Sequence, residues 1–431
     1  MKRRDIQKLL KEAEAEEGDL IEIRKGNEIY KGILMPHHSF SSEDVIIIKL
    51  ENGYNIGIKI DDECEIHLIK KRKEKEKRKK KISFNKKKPI VSLIGTGGTI
   101  ASYVDYLTGA VHPATSAEEL ALSVPEIFDI CNVKAKILFQ TFSENITPEH
   151  WKAMAKEVAE ELNKDAEGVI ISHGTDTLAY TSAALSFMLK NLSGAVVLVG
   201  SQRSSDRPSS DSFHNLLGAA RVAISDIGEV VVVMHSNISP PLCTIHRGTK
   251  VRKMHSSRRD AFQTINENPI GFVDKGLKII GKYRKKTDGM TEADVSIDSN
   301  VSLVYHHPAL TPDDFMSIVE GKNGVVIAGT GLGHVNEKLI PCIDELTSRG
   351  IPVVVTTQCL WGRVNLNVYS TGRKLKKAGV ISGEDMLPET ALVKLMWALG
   401  HDDAIAIMKK NIAGEMTERS VYNAYQKNYI P

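Results

Sequence analysis

Apolar side chains at Ile6, Leu9 and Leu10 fall on one face of an otherwise charged stretch, so residues 1–17 predict a short helix. Beyond Asp19 the spacing drops to two. Alternating apolar and polar residues run through 20–23, 28–34, 44–50, 55–60 and 64–69, the pattern of half-buried strands. Lys25-Gly26-Asn27 and Asn52-Gly53 have the composition of tight turns between them.

Five short strands in so few residues predict a small β-barrel of SH3-like size, a form that removes the exposed edges of a small sheet. With its leading helix it makes a first domain over 1–69. Residues 70–88 then carry 13 basic side chains against Glu74 and Glu76, with almost no apolar content. Such a strap is a solvated linker. A plain spacer accounts for it. So does a contact with phosphate or an acidic partner, although Phe84 is its one aromatic for stacking on a base.

From Pro89 the texture changes again. Short continuous apolar runs recur at 90–94, 168–172, 195–199, 230–234, 302–305, 325–328 and 351–355, each followed by glycine or polar residues. Helical stretches separate several of them. One begins at Thr147-Pro148-Glu149, others cover 177–189 and 211–224, and Thr311-Pro312-Asp313-Asp314 opens another with the same cap chemistry. The alternation predicts an α/β fold in which parallel sheets are flanked by helices on both faces. A polar stretch over 285–300 divides it into two lobes, 89–285 and 300–431.

Composition narrows the class. Of the 431 residues, 42% are hydrophobic and 26% charged, which excludes wholesale disorder and is enough chain for two or three domains. The net charge of +3 conceals an acidic body of about −8, because the strap alone holds +11. There is no run of 18 apolar residues, hence no expected membrane contact. The N-terminus lacks a signal-peptide core. The five cysteines stand far apart, so a disulfide framework or metal site is not expected and a cytoplasmic location is.

In sheets of this kind ligands gather beyond the carboxyl ends of strands, so the residues after each apolar run carry the chemistry. The first run ends in Gly95-Thr96-Gly97-Gly98-Thr99-Ile100-Ala101. It fails as a dinucleotide fingerprint at Ile100, as Gly329-Thr330-Gly331-Leu332-Gly333-His334 fails at its histidine, and neither is a phosphate-binding P-loop. The glycines instead let backbone approach a small ligand while Thr99 presents a hydroxyl. The second run ends in Ser172-His173-Gly174-Thr175-Asp176-Thr177. Taken alone, its Thr and Asp are explained as helix caps.

Together the two segments closely resemble the L-asparaginase/glutaminase family of amidohydrolases, over roughly residues 89–410. The resemblance implies the family's two-lobed α/β fold and amide hydrolysis by a threonine nucleophile. Thr99 matches the first-motif nucleophile, and Thr175 and Asp176 match the second motif. The family's lysine stands nine residues before a phenylalanine, which points to Lys253 ahead of Phe262, with Lys250 and Arg252 as near neighbours. Tyr106 matches a flexible-loop tyrosine. Ser143 and Glu144 match the pair that grips the substrate's α-carboxylate and α-amino group, and Gly98, Gly174 and Ser201 line the same pocket. The chemistry suits these types: a threonine hydroxyl needs a base or relay, a desolvated lysine can serve as one, and backbone N–H groups at a strand-to-helix turn can hold an oxyanion. Whether Thr99 or Thr175 attacks first stays open, with Thr99 favoured.

The barrel and strap lie outside the simple asparaginases of that family. They resemble its tRNA-dependent branch, the glutaminase subunits of archaeal Glu-tRNA(Gln) amidotransferases. That likeness implies a homodimer of this chain, joined by two GatE-type kinase subunits in a heterotetramer. It further implies glutamine as the small-molecule substrate, tRNA(Gln) bound mainly through the partner, no cofactor in this subunit, and ATP and Mg in the partner. A free-standing L-asparaginase with an accessory domain is the other reading, since Asn and Gln differ by one methylene, about 1–3 kcal/mol in a pocket.

Overall fold

The structure is a computed structural model that describes residues 6–35, 44–50, 55–71, 84–97, 102–104, 111–113, 124–203, 210–239 and 241–420. A helix, Ile6–Glu12, precedes five strands: β1 Leu20–Lys25, β2 Glu28–Leu34, β3 Val45–Lys49, β4 Asn55–Lys59 and β5 Cys64–Lys70. They pair antiparallel in the order β4-β3-β2-β1-β5, so the last strand returns beside the first in a barrel-like sheet. Gly26, with φ of +55°, makes the turn from β1 to β2. Ile21 and Ile23 of β1 and Ile48 of β3 form the centre of a separate small core closed by Ile6 and Leu9 of the helix.

The next strands are β6 Ile90–Gly95, β7 Ser102–Val104, β8 Val111–Pro113, β9 Asn132–Ile137, β10 Gly168–Ser172, β11 Leu189–Lys190, β12 Ala195–Val199 and β13 Val230–His235. After them come β14 Cys243–Arg247, β15 Val251–Lys253, β16 Phe262–Thr264, β17 Gly271–Val273, β18 Leu277–Ile279 and β19 Glu292–Ala293. Eight of these build one sheet in the order β18-β17-β14-β13-β12-β10-β6-β9. Its middle is parallel and almost wholly buried. Val169 and Ile171 face the helices Pro148–Leu162 and Leu178–Met188, while Ile170 faces the helix Ser212–Ala223.

Two features differ from the sequence expectation. The sheet is mixed, because β14, β17 and β18 run antiparallel to their neighbours. The connection from β13 to β14 is too short for the helical crossover a parallel neighbour needs. The parallel edge strand β9, half-exposed along its length, alternates polar and apolar residues and so lacks the continuous apolar signature.

The second lobe is a four-stranded parallel sheet, β20 Val301–Tyr305, β21 Gly324–Gly329, β22 Val353–Thr357 and β23 Ile381–Ser382, in sequence order. The run expected over 351–355 enters the sheet only at Val353, after Pro352, which has no N–H to give. The lobes share a core. Val393 and Trp397 of the helix Pro388–Ala398 join the first lobe's cluster, and Trp397 stacks on Phe187 at 6.1 Å between centroids.

Candidate active site

Strand register creates the site's frame. Gly95 at the end of β6 lies beside Ser172 at the end of β10, so both motif segments leave the sheet at one edge. Thr96 ties them, its hydroxyl donating to the Ser172 carbonyl at 2.7 Å. Gly97 has φ of +103°, and a Cβ there would stand 2.3 Å from the Thr141 carbonyl, so the turn admits glycine alone. Gly98, Thr99 and Tyr106 lie outside the described residues.

Thr175 and Asp176 occupy the turn from β10 into the helix Leu178–Met188. Across from them the hairpin β15–β16 delivers Lys253. Its Nζ donates to Thr175 Oγ1 at 2.8 Å and to Asp176 Oδ1 at 2.6 Å. The nine-residue interval to Phe262 is a hairpin in physical terms. Lys253 and Phe262 are cross-strand partners, and Phe262 is buried in the lobe's core.

The neighbouring cations point elsewhere. Lys250 is fully buried, 2.7 Å from Asp385 Oδ2, and Arg252 reaches Glu389 at 3.2 Å. Both carboxylates belong to the second lobe. Burial pulls the Lys250 ammonium below its ordinary range against the pull of Asp385, and burial pushes the Glu389 carboxyl up. Lys253 is therefore the one of the three that meets the motif residues.

Ser143 opens a short 3-10 turn and is buried, with Glu144 exposed beside it. Ser143 Oγ accepts the Asp176 N–H at 3.3 Å, and its carbonyl accepts the Thr177 hydroxyl at 2.6 Å. Gly174 allows this approach, since a Cβ there would sit 2.7 Å from Ser143 Cβ. Ser201 follows Gly200, where a Cβ would lie 2.9 Å from Thr175 Cγ2. The Ser201 side chain is buried and its hydroxyl has no partner among the described residues. The arrangement thus gathers Thr175, Asp176, Lys253, Ser143, Gly174 and Ser201 at one edge.

Sequence reasoning assigned no role to three residues behind the turn. His173 touches Gly174 and Thr181, and Trp151 touches Thr181. The signal was present in the histidine that starts His173-Gly174-Thr175-Asp176, but a residue preceding a motif by one position has no spacing to identify it. Among the described residues no cluster of three or more His, Cys, Asp or Glu is arranged to hold a metal, and no helix is long and apolar enough to cross a membrane.

A hairpin amine that donates to both a hydroxyl and a carboxylate at a strand-to-helix turn of a two-lobed α/β fold is an asparaginase-type arrangement. The family model "Asparaginase, N-terminal" matches residues 90–285 and "Glutaminase/Asparaginase C-terminal domain" matches 300–411. In solved structures the chain is similar to the thermostable L-asparaginase from Thermococcus kodakarensis, with a TM-score of 0.70 and 35% identity over 77% of this chain and 100% of that one. Residues 15–69 match the model "GatD N-terminal domain". The chain is 51% identical to the GatD subunit of glutamyl-tRNA(Gln) amidotransferase from Pyrococcus furiosus, over 97% of this chain and 99% of that one. It is 47% identical to the same subunit of Saccharolobus islandicus, over 97% of both chains. The chain belongs to the GatD family of glutamyl-tRNA(Gln) amidotransferase subunits.

Proposed function

We propose that this chain hydrolyses glutamine to glutamate and ammonia and passes the ammonia to a partner subunit that converts Glu-tRNA(Gln) to Gln-tRNA(Gln). The observation that carries the hydrolytic reading is the double contact of Lys253 with Thr175 and Asp176. Thr99, four residues beyond the end of β6, supplies the nucleophile. Its hydroxyl oxygen adds to the carboxamide carbon, its proton passes to the departing nitrogen, and ammonia leaves an ester on Thr99. Water then cleaves the ester, regenerating the hydroxyl and releasing glutamate. Thr175 and Lys253 relay protons in both steps. Asp176, its side chain 66% exposed, is open to accept the substrate's α-ammonium, and Ser143 and Glu144 complete that grip. ATP and Mg act in the partner, a kinase-type subunit bound to a homodimer of this chain, and the barrel domain is the feature that favours this assembly.

Purified chain should hydrolyse glutamine weakly, and adding the GatE-type partner with charged tRNA should raise the rate. Strong, partner-independent hydrolysis of asparagine overturns the assignment in favour of a free-standing asparaginase. That second reading draws on the 35% identity to an L-asparaginase, which leaves the first domain without a purpose. Thr99→Ala should abolish hydrolysis while partner binding persists; retained turnover removes Thr99 as nucleophile.

A further inference from the structure

We propose that His173 is a positioning residue: a neutral imidazole protonated on Nδ1 that fixes the Gly174–Thr175 peptide and so holds Thr175 within reach of Lys253. The inference rests on the hydrolytic function proposed above and adds a residue that acts through the turn rather than on the substrate.

The proton positions follow from the partners. His173 has no exposed surface. Its Nδ1 stands 2.6 Å from the Gly174 carbonyl oxygen, and its Nε2 stands 2.9 Å from Thr181 Oγ1. The indole Nε1 of Trp151 is 3.1 Å from the same Thr181 oxygen. A carbonyl only accepts, so Nδ1 must carry hydrogen. Burial pulls the imidazole down to about 4, against the hydrogen bond to Gly174, so the ring is neutral near pH 7 and Nε2 is an acceptor. Thr181 therefore donates to Nε2 while accepting from Trp151, an indole that can only donate. One sequence of donors remains: Trp151 to Thr181, Thr181 to His173, His173 to the Gly174 carbonyl.

This chain of donors ends on a rigid unit. The Gly174 carbonyl shares one peptide plane with the Thr175 nitrogen, so aiming the carbonyl aims the bond from which Thr175 departs. The other side of the turn is closed by Ser143, against which Gly174 has no room for a side chain. Thr175 Oγ1 then sits 2.8 Å from Lys253 Nζ. Among the described residues no carboxylate contacts His173, and the ring makes no hydrogen bond to Thr175 or Lys253, so its effect runs through the backbone.

Two isosteres separate the two ring nitrogens. In His173→Asn the side-chain amide nitrogen occupies the place of Nδ1 and can still donate to Gly174. In His173→Gln it reaches the place of Nε2 and leaves the carbonyl unheld. Assayed as glutaminase in the assembled complex, His173→Gln should lower kcat about 10- to 100-fold with KM within about threefold, the scale of a small misplacement of reacting groups. His173→Asn should keep kcat within about threefold. Equal losses in both variants, or no loss in either, overturn the proposal. If either variant fails to fold, the parent decides: nitrogen-labelled histidine spectra, assigned with Thr181→Val, should show His173 as the Nδ1–H form from about pH 8 to about pH 5. An Nε2–H or doubly protonated ring overturns it. A folded chain without amidohydrolase activity fails the functional reading, while the tautomer measurement still judges the hydrogen-bond assignment.

Discussion

The candidate site and the seam between the lobes hold the same ion pair in two settings. Lys253 meets Asp176 at 2.6 Å with side chains 13% and 66% exposed. At the seam Lys250 meets Asp385 at 2.7 Å with 0% and 3% exposed, and within the second lobe Lys394 meets Glu415 at 2.6 Å with both at 0%. The distances are alike and the consequences differ. Asp385 also accepts the Thr417 N–H and hydroxyl, and Glu415 accepts the N–H groups of Ile412 and Ala413. Those carboxylates are saturated and cannot change partner. Asp176 is open to solvent and is free to exchange water for another partner. Contact length therefore says nothing about role; the unfilled coordination of the carboxylate does.

The largest expected effect follows from this contrast. Lys253→Met should reduce amide hydrolysis by about 10³-fold or more, the combined scale of lost proton transfer and misplaced groups, while the melting temperature moves by only a few degrees. Lys250→Met should act in the opposite sense. It strips the buried Asp385 of its close cation and leaves it, among the described residues, only Arg363 at 3.9 Å, which should cost about 3 kcal/mol in urea unfolding. If Lys253→Met proves the more destabilising of the two, the division between site and seam fails.

Much of this division was legible in the sequence, and the remainder shows where periodicity stops. The apolar runs gave β10 and β12 their full extent because those strands are buried on both faces. The half-buried β9 escaped, as did the antiparallel turn-back at β14. The motif resemblance brought Thr175, Asp176 and Lys253 into view, but that Lys253 and Phe262 pair across a hairpin was not read from it. The interval pointed to Lys253 over Lys250 and Arg252, but the physical reason lay out of reach in the second lobe, where Asp385 and Glu389 stand more than 100 residues downstream and take the two neighbours away. His173, Thr181 and Trp151 met through folding alone, their spacings fitting no local rule.

The smallest predicted effect extends the contrast to histidines held neutral chiefly by burial. Burial holds His173 and His235 down to about 4 and His246 to about 3. In the unfolded chain each titrates near 6.5. Between those values the unfolded state binds more protons than the folded one, so stability rises with pH through the window and is lost as pH falls. From about pH 7 to about pH 5.5 each such histidine should remove about 1 kcal/mol. His246 is the cleanest probe, since its Nδ1 contacts Thr264 Oγ1 at 2.8 Å and no charged group touches it among the described residues. His246→Asn keeps a nitrogen near that hydroxyl and cannot titrate. Urea midpoints measured at both pH values should fall less steeply for the variant, by about 1 kcal/mol. Buried carboxyls such as Glu389, pushed up by burial, pull the parent's curve the other way, but they are common to both proteins and cancel in the difference. Identical slopes would mean that His246 takes up its proton in the folded chain as readily as in the unfolded one, and an isolated ring at that depth would then have to be reached by water.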